Sequence, residues 1–139
     1  MVLAALGATL CVPLGAAHAQ PSGCDNKRAH TFSSTLPASH PAALKAGSRL
    51  RVAVTVTRGG VVPASDVEVN LVLRGPAWFG YGYGVTDANG AVTALVTVPV
   101  KARGAARLVV DVHKQVVSLP CGNIEEFDYV ETPWGKAVK

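Results

Sequence analysis

The residues best suited to binding lie in one stretch, Trp78-Phe79-Gly80-Tyr81-Gly82-Tyr83-Gly84. In an extended chain successive side chains point to opposite faces, so Phe79, Tyr81 and Tyr83 would share one face and the glycines the other. Aromatic rings offer a large, rigid contact area, and tyrosine adds a polar tip. Trp78, Phe79, Tyr81 and Tyr83 are therefore our candidate binding residues. Three uses are open: packing within the fold, contact with another protein, or stacking against a sugar.

Two groups of oxygen-bearing side chains have the chemistry to hold a cation, but we expect neither to do so. Asp87 and Asn89 are too few ligands for a calcium loop, and their Asp-x-Asn-Gly context is typical of a tight turn. Glu125, Glu126 and Asp128 form a small acidic cluster that we expect to be solvated on a strand. A metal site or a basic partner is the alternative there. The sequence thus predicts no metal site.

No pattern in the sequence points to catalysis. It lacks a Gly-x-Ser-x-Gly elbow, a His-Glu-x-x-His zinc motif, a Cys-x-x-Cys pair and a phosphate-binding glycine loop. His30, His40 and His113 are isolated along the chain. We therefore expect no catalytic residues, no enzyme activity and no cofactor.

The N-terminus has the pattern of an export signal. Residues 2–17 are apolar and uncharged, and Ala17-His18-Ala19 has the small-x-small pattern of a signal-peptidase site. We expect cleavage after Ala19 and export to the periplasm, the cell surface or the medium of a bacterium. No Lys or Arg precedes the run, so the true start could lie upstream. A membrane anchor or a lipoprotein is the alternative, but the run is short and broken by Pro13, and we expect no membrane span in the mature protein.

The cysteine count changes with cleavage. Removal of the leader takes Cys11 away and leaves Cys24 and Cys121. An even number in an exported domain predicts a disulfide, with two free buried thiols as the alternative. The bridge would close a loop of about 100 residues, for which chain-entropy estimates give roughly 4–5 kcal/mol of stabilisation.

Composition limits the class of protein. The chain has 139 residues, of which 49% are apolar and 16% charged, enough apolar material for the core of one domain. The net charge of +4 comes from basic residues scattered over turns and strand ends. Nucleic-acid-binding proteins concentrate such charge on one face, so we expect no nucleic-acid partner.

Four segments alternate apolar and polar residues, the pattern of a half-buried β-strand. Asp87-Ala88-Asn89-Gly90 has the composition of a hairpin turn, because Asp bonds its own backbone and Asn-Gly accepts a positive φ. Short strands, frequent turns and no helical stripe predict an antiparallel sandwich, with a small barrel as the alternative. The inward-facing residues would be Leu50, Val52, Val54 and Val56; Val67, Val69, Leu71 and Leu73; Val92, Ala94, Val96 and Val98; and Leu108, Val110 and Val112.

Over residues 48–113 the chain resembles bacterial immunoglobulin-like domains of the invasin and intimin type and related surface modules. The resemblance rests on the alternating strands, the turn Gly60-Val61-Val62-Pro63-Ala64 and the segment Thr86-Asp87-Ala88-Asn89-Gly90. It implies an all-β, immunoglobulin-like antiparallel β-sandwich. It implies little about function, because this fold has many roles. The chain departs from these proteins in having one domain, an extra C-terminal segment and an expected terminal disulfide.

These observations predict four parts of the chain. Residues 1–19 are the signal peptide and residues 20–46 an irregular segment with one edge strand near 30–36. Residues 47–131 form the sandwich, and residues 132–139 form a loose tail from which Trp134 docks onto the domain.

The functional hypothesis is a non-catalytic exported domain that acts through protein–protein contact, by self-assembly or within an envelope complex. It would be a structural or assembly subunit at the cell surface, or an accessory subunit of a periplasmic complex. The alternative is a carbohydrate-binding or adhesive module that uses the segment from Trp78 to Tyr83.

Overall fold

The computed structural model describes residues 27–118 and 122–139, and these residues form two β-sheets packed face to face as an open sandwich. The strands are β1 (Arg28–His30), β2 (Phe32–Thr35), β3 (Ala43–Lys45), β4 (Arg49–Arg58), β5 (Val62–Pro63), β6 (Glu68–Gly75), β7 (Trp78–Val85), β8 (Ala91–Thr97), β9 (Gly104–Ser118) and β10 (Gly122–Val138). The all-β prediction is confirmed, and the open arrangement excludes the barrel alternative.

The larger sheet has the strand order β1-β10-β9-β6-β7, and β3 pairs with β10 further along the same edge as β1. The smaller sheet is centred on β4, which pairs with β2 on one side and with β8 and β5 on the other. Pairing is antiparallel throughout the described strands except for β1 and β3, which run parallel to β10.

The core lies between the sheets and consists of the apolar rows predicted from the sequence. Rows from β4 and β8 face rows from β6 and β9, as expected for two half-buried sheets. Leu50 and Val92 are partly buried, and the other thirteen predicted inward residues are buried. The core also contains Phe32, Leu44, Trp78 and Trp134.

The segment before residue 47 contributes more regular structure than we expected. Its described part contains β1, β2 and β3, and the chain crosses from the larger sheet to the smaller one between His30 and Phe32. Phe32 on β2 and Leu44 on β3 are each 2% exposed. Strands of three or four residues that bury a single side chain are too short to show a period-2 pattern, so the sequence signal is weak.

The expected tail is instead the end of a long strand. β10 continues to Val138, pairs with β9 from Gly122 to Ala137, and has an irregular register between Pro133 and Lys136. Trp134 is buried within this irregular stretch, in agreement with the docking that we expected. The irregular stretch contains Pro133 and Gly135, residue types that are tolerated at a bulge.

The turn at Asp87–Gly90 forms as predicted, but it does not make a hairpin. The Asp87 carboxylate accepts hydrogen bonds from the backbone N–H of Asn89 (2.8 Å) and Ala91 (3.0 Å), and Gly90 has a φ of +71°. The strand before the turn, β7, belongs to the larger sheet, whereas β8 belongs to the smaller one. Turn chemistry is local and does not specify which strand the following segment joins.

Some sequence predictions fall outside the described residues. These are the leader with its cleavage site, and both cysteines of the predicted disulfide, Cys24 and Cys121. Among residues 27–118 and 122–139, no helix is long and apolar enough to cross a membrane.

Candidate binding surface

β7 is an edge strand, and a two-residue turn at Pro76 and Ala77 places it there. Gly75 pairs with Trp78 directly across this turn, and the ladder with β6 continues to the pair of Glu68 and Val85. Proline fixes φ at the first turn position, and Ala77 takes a φ of +61°, which is uncommon without glycine. The turn thus sets the register of the whole candidate segment.

Trp78 lies in the core and leaves the candidate surface. Its side chain is 1% exposed, and its indole N–H donates a hydrogen bond to the carbonyl oxygen of Arg103 at 2.8 Å. The ring also rests on Gly75, where a Cβ atom would overlap it. A buried indole whose N–H finds a carbonyl is a packing element, since no face is left for a ligand.

Phe79, Tyr81 and Tyr83, which we call the aromatic stripe, share one face of β7, and that face points outward. They are 53%, 64% and 56% exposed, respectively. The rings of Phe79 and Tyr81 are inclined by only 24°, with centroids 6.5 Å apart. Burial and the neighbouring carboxylate of Glu68 raise the pKa of Tyr83, so its hydroxyl stays protonated at neutral pH.

The glycines of the same segment face inward, where β8 leaves no room for side chains. A Cβ at Gly80 would overlap the carbonyl oxygen of Thr97, and one at Gly82 would lie 2.7 Å from the carbonyl oxygen of Leu95. Such close backbone approach requires glycine. Packing therefore accounts for the glycines, whereas nothing in the described core requires three large aromatic rings on the outer face.

Charged pairs lie beside the stripe on the outer face of the larger sheet. The Glu131 carboxylate accepts hydrogen bonds from Arg74 at 2.6 Å and Arg107 at 2.9 Å, and these bonds lower the pKa of Glu131. Near Tyr83, His113 contacts the Glu68 carboxylate at 2.7 Å. An apolar strip bordered by satisfied charges has the composition of a protein interface with a polar rim.

The acidic cluster on β10, which we expected to be solvated, is mostly buried. Glu126 accepts hydrogen bonds from Arg58 at 2.6 and 3.0 Å and from the Thr31 hydroxyl at 2.6 Å. Burial would raise the pKa of Glu126, but the hydrogen bonds from Arg58 and Thr31 outweigh it and lower the pKa. These partners lie far away in sequence, so a local pattern gives no sign of them.

Asp128 holds the N-terminal strands in the same way. It accepts hydrogen bonds from the His30 ring and from the backbone N–H of Ser34, each at 2.7 Å. Burial opposes ionisation, but hydrogen bonds from Ser34 and His30 lower the pKa of Asp128. Glu126 and Asp128 therefore attach the β1–β2 segment to β10. Glu125, which pairs with Arg28, is the more exposed of the three acidic residues.

The three histidines of the described chain lie on separate elements. His30 contacts Asp128, His113 contacts Glu68, and His40 in the loop between β2 and β3 stacks on Trp134 with centroids 4.0 Å apart. Within the described residues, no group of three His, Cys, Asp or Glu side chains is placed to hold a metal ion.

The described residues form two surface grooves, one that borders the Tyr83 end of the stripe and one beside β10. One, of about 310 Å³, is lined by Asp66, Glu68 and His113 among others, and another, of about 260 Å³, lies beside His40 and Trp134. None of the stripe residues lines either groove. Small-molecule sites are usually concave, so the position of the stripe outside both grooves favours contact with a macromolecule.

The chain has no match among protein-family models, and a search of curated proteins also finds none. Its function must therefore be argued from the surface itself.

Proposed function

We propose that the protein is a non-catalytic, exported immunoglobulin-like domain that acts through protein–protein contact. It would be a structural or assembly subunit at the bacterial cell surface, or an accessory subunit of a periplasmic complex. The exposed aromatic stripe on the edge strand β7 is the observation that carries the proposal.

The strand order supports the immunoglobulin-like part of the proposal. In that fold, strands B and E share one sheet, and strands C, F and G share the other. Here β4 and β8 pair in the smaller sheet, while β6, β9 and β10 are neighbours in the larger one. Assigning β4, β6, β8, β9 and β10 to strands B, C, E, F and G in chain order gives the same division between sheets.

The composition of the stripe supports contact with a protein. Aromatic residues are enriched in interfaces and supply much of the binding energy, because each removes a large rigid surface from water. In a monomer, the three rings of the stripe would each be more than half exposed to water. Exposure of apolar surface costs a free energy of about 25 cal/mol for each Å². A partner that covers the rings removes this cost.

The test compares the double substitution Phe79→Ser/Tyr81→Ser with the control Leu95→Ser. Leu95 is also a large exposed apolar residue (46%), but it lies on the smaller sheet. The size of the native complex is measured by gel filtration after mild detergent extraction from the producing cell. We expect the unsubstituted protein and the control to elute in a complex, and the stripe variant to elute as the free chain.

Two results would overturn the proposal. One is that the unsubstituted protein elutes as a free chain from its native envelope. The other is that the stripe variant stays in the complex, with circular dichroism showing that both variants remain folded.

The exposed and nearly parallel rings of Phe79 and Tyr81 favour one second candidate, a carbohydrate-binding or adhesive surface. Sugars stack on exposed flat rings of this kind. A panel of cell-wall and host glycans, probed with the unsubstituted protein and the stripe variant, tests it. Binding that the stripe substitutions abolish would favour the glycan, and no binding to any glycan would reject it.

A further inference from the structure

We propose that β7 pairs edge to edge with β7 of a second copy of this chain, so that two larger sheets join into one continuous sheet. The inference rests on the proposed function, because it names the partner of the aromatic stripe. It depends on the backbone of β7 as well as on its side chains.

The backbone of the stripe residues faces an open edge. Thr86, next to the end of β7, directs its backbone N–H and C=O toward the β6 side. Its N–H donates to the Val67 carbonyl and its carbonyl accepts from the Asp66 N–H, each at 3.0 Å. Successive residues of a strand point their N–H and C=O groups to opposite sides, so those of Val85 and of the stripe point away from β6. No other strand of the described chain pairs with that side of β7.

The adjacent edge of the smaller sheet is covered, which leaves β7 as the open edge on this side of the sandwich. The carbonyl oxygens of Leu95 and Thr97 on β8 lie against Gly82 and Gly80 of β7. The closeness of these carbonyls to the glycine backbones fits weak C–H···O contacts, which recur between β-strands. β8 is thereby protected by β7, whereas nothing in the described residues protects β7.

β7 also lacks the residues that prevent edge pairing. Edge strands are usually short, or they carry charges or proline, because an open ladder otherwise accepts another chain. The eight residues of β7 include no charged residue and no proline. Of the other edge strands, β1, β3 and β5 contain Arg28, Lys45 and Pro63, respectively, and β2 has only four residues.

The sequence of β7 is self-complementary about Gly82, which identifies a second copy as the partner. In an antiparallel pair with a two-fold axis at Gly82, Phe79 lies opposite Val85 of the second copy, and Tyr81 lies opposite Tyr83. All four residues with outward backbone groups then form hydrogen-bonded pairs. Aromatic side chains meet on one face, where such pairs stabilise a sheet, and no like charges meet.

The experiment uses the purified mature chain and two single-cysteine variants, Tyr81→Cys and Tyr83→Cys. A contact of one strand is smaller than a standard interface, so we expect a dimer with a dissociation constant on the order of micromolar, detected by light scattering over a concentration series. Opposed residues of a hydrogen-bonded pair have Cα atoms about 5.5 Å apart, within disulfide range. Mild oxidation should therefore cross-link an equal mixture of the two variants much more than either variant alone.

The unsubstituted chain controls for the native cysteines. A strict monomer at every concentration, with no cross-link in the mixture, would overturn the inference. Cross-linking of either variant alone to the extent of the mixture would overturn it too, because the register would then differ. If the purified chain is monomeric but the envelope complex still requires Phe79 and Tyr81, self-pairing fails while the proposed function stands.

Discussion

Substitution of Gly80 by alanine tests whether close packing of β7 on β8 forces glycine onto the inner face. Gly80 has no positive φ, so its backbone suits alanine and only space is limiting. The new Cβ would overlap the Thr97 carbonyl oxygen, which is backbone and cannot rotate away. Overpacking of this kind costs roughly 1–3 kcal/mol. We take the upper end, about 3 kcal/mol, because the displaced atom is backbone.

Part of this cost is offset in the unfolded state. Replacement of glycine by alanine reduces the freedom of the unfolded chain and stabilises by about 0.4–1 kcal/mol. The net loss for Gly80→Ala is therefore about 2 kcal/mol, or roughly 8 °C in melting temperature for a domain of this size. Gly84→Ala is the comparison variant, because its Cβ would meet a Val92 methyl group rather than a backbone atom. Valine is β-branched and turns away only by a change in χ1, so we expect Gly84→Ala to lose about 1 kcal/mol, less than Gly80→Ala.

Urea unfolding of the three proteins, followed by circular dichroism, gives these differences. A Gly80→Ala protein as stable as the unsubstituted chain would refute the packing argument. So would a Gly84→Ala protein that is the less stable of the two, since the ranking follows from which atom obstructs each Cβ.

Three further predictions concern the rest of the fold. Residues of β1 lie opposite residues 97 positions later in β10, and the same spacing separates Cys24 from Cys121 in the sequence. We therefore predict a disulfide that contributes up to about 5 kcal/mol, and two free thiols by mass spectrometry of the mature protein would contradict it. Thr86→Val should lower the free energy of unfolding in urea by about 2–3 kcal/mol. The buried Thr86 hydroxyl accepts a hydrogen bond from the Val67 N–H and donates one to the Ala64 carbonyl, and the substitution leaves both groups without that partner. Because the pKa of Glu126 is lowered in the folded protein, its ionised form stabilises the fold. This contribution is fully present above pH 4.5, the ordinary pKa of a glutamate, and is lost as the pH falls through the lower pKa of the folded state. Glu126→Gln should therefore flatten the loss of stability below pH 4.5, and an unchanged acid profile would argue against this role.

The strands of the core were predictable because their signal is local and repeated. β4, β6, β8 and the inner part of β9 each alternate over many residues, and the structure buries the predicted face. The short strands β1 to β3 and the end of β10 were not predictable in this way. They are held by single buried side chains such as Phe32 and Trp134, and by partners distant in sequence.

The candidate surface was partly predictable for the same reason. Alternation of glycine and aromatic residues indicated that Phe79, Tyr81 and Tyr83 share a face, and the structure places all three outward. The alternation could not distinguish Trp78 from the stripe residues, because the burial of Trp78 depends on Arg103 and Gly75 rather than on its neighbours in the stripe. Likewise, the burial of Glu126 depends on Arg58 from the opposite sheet.

Photo-cross-linking in the producing cell tests the central claim most directly. A photoreactive amino acid is placed at Tyr81 on the stripe or at Leu95 on the other sheet, both of which are exposed in the described fold. We predict discrete protein adducts from position 81 under illumination and none from position 95. No adduct from position 81, or adducts of equal yield from both positions, would contradict a protein-binding surface on β7.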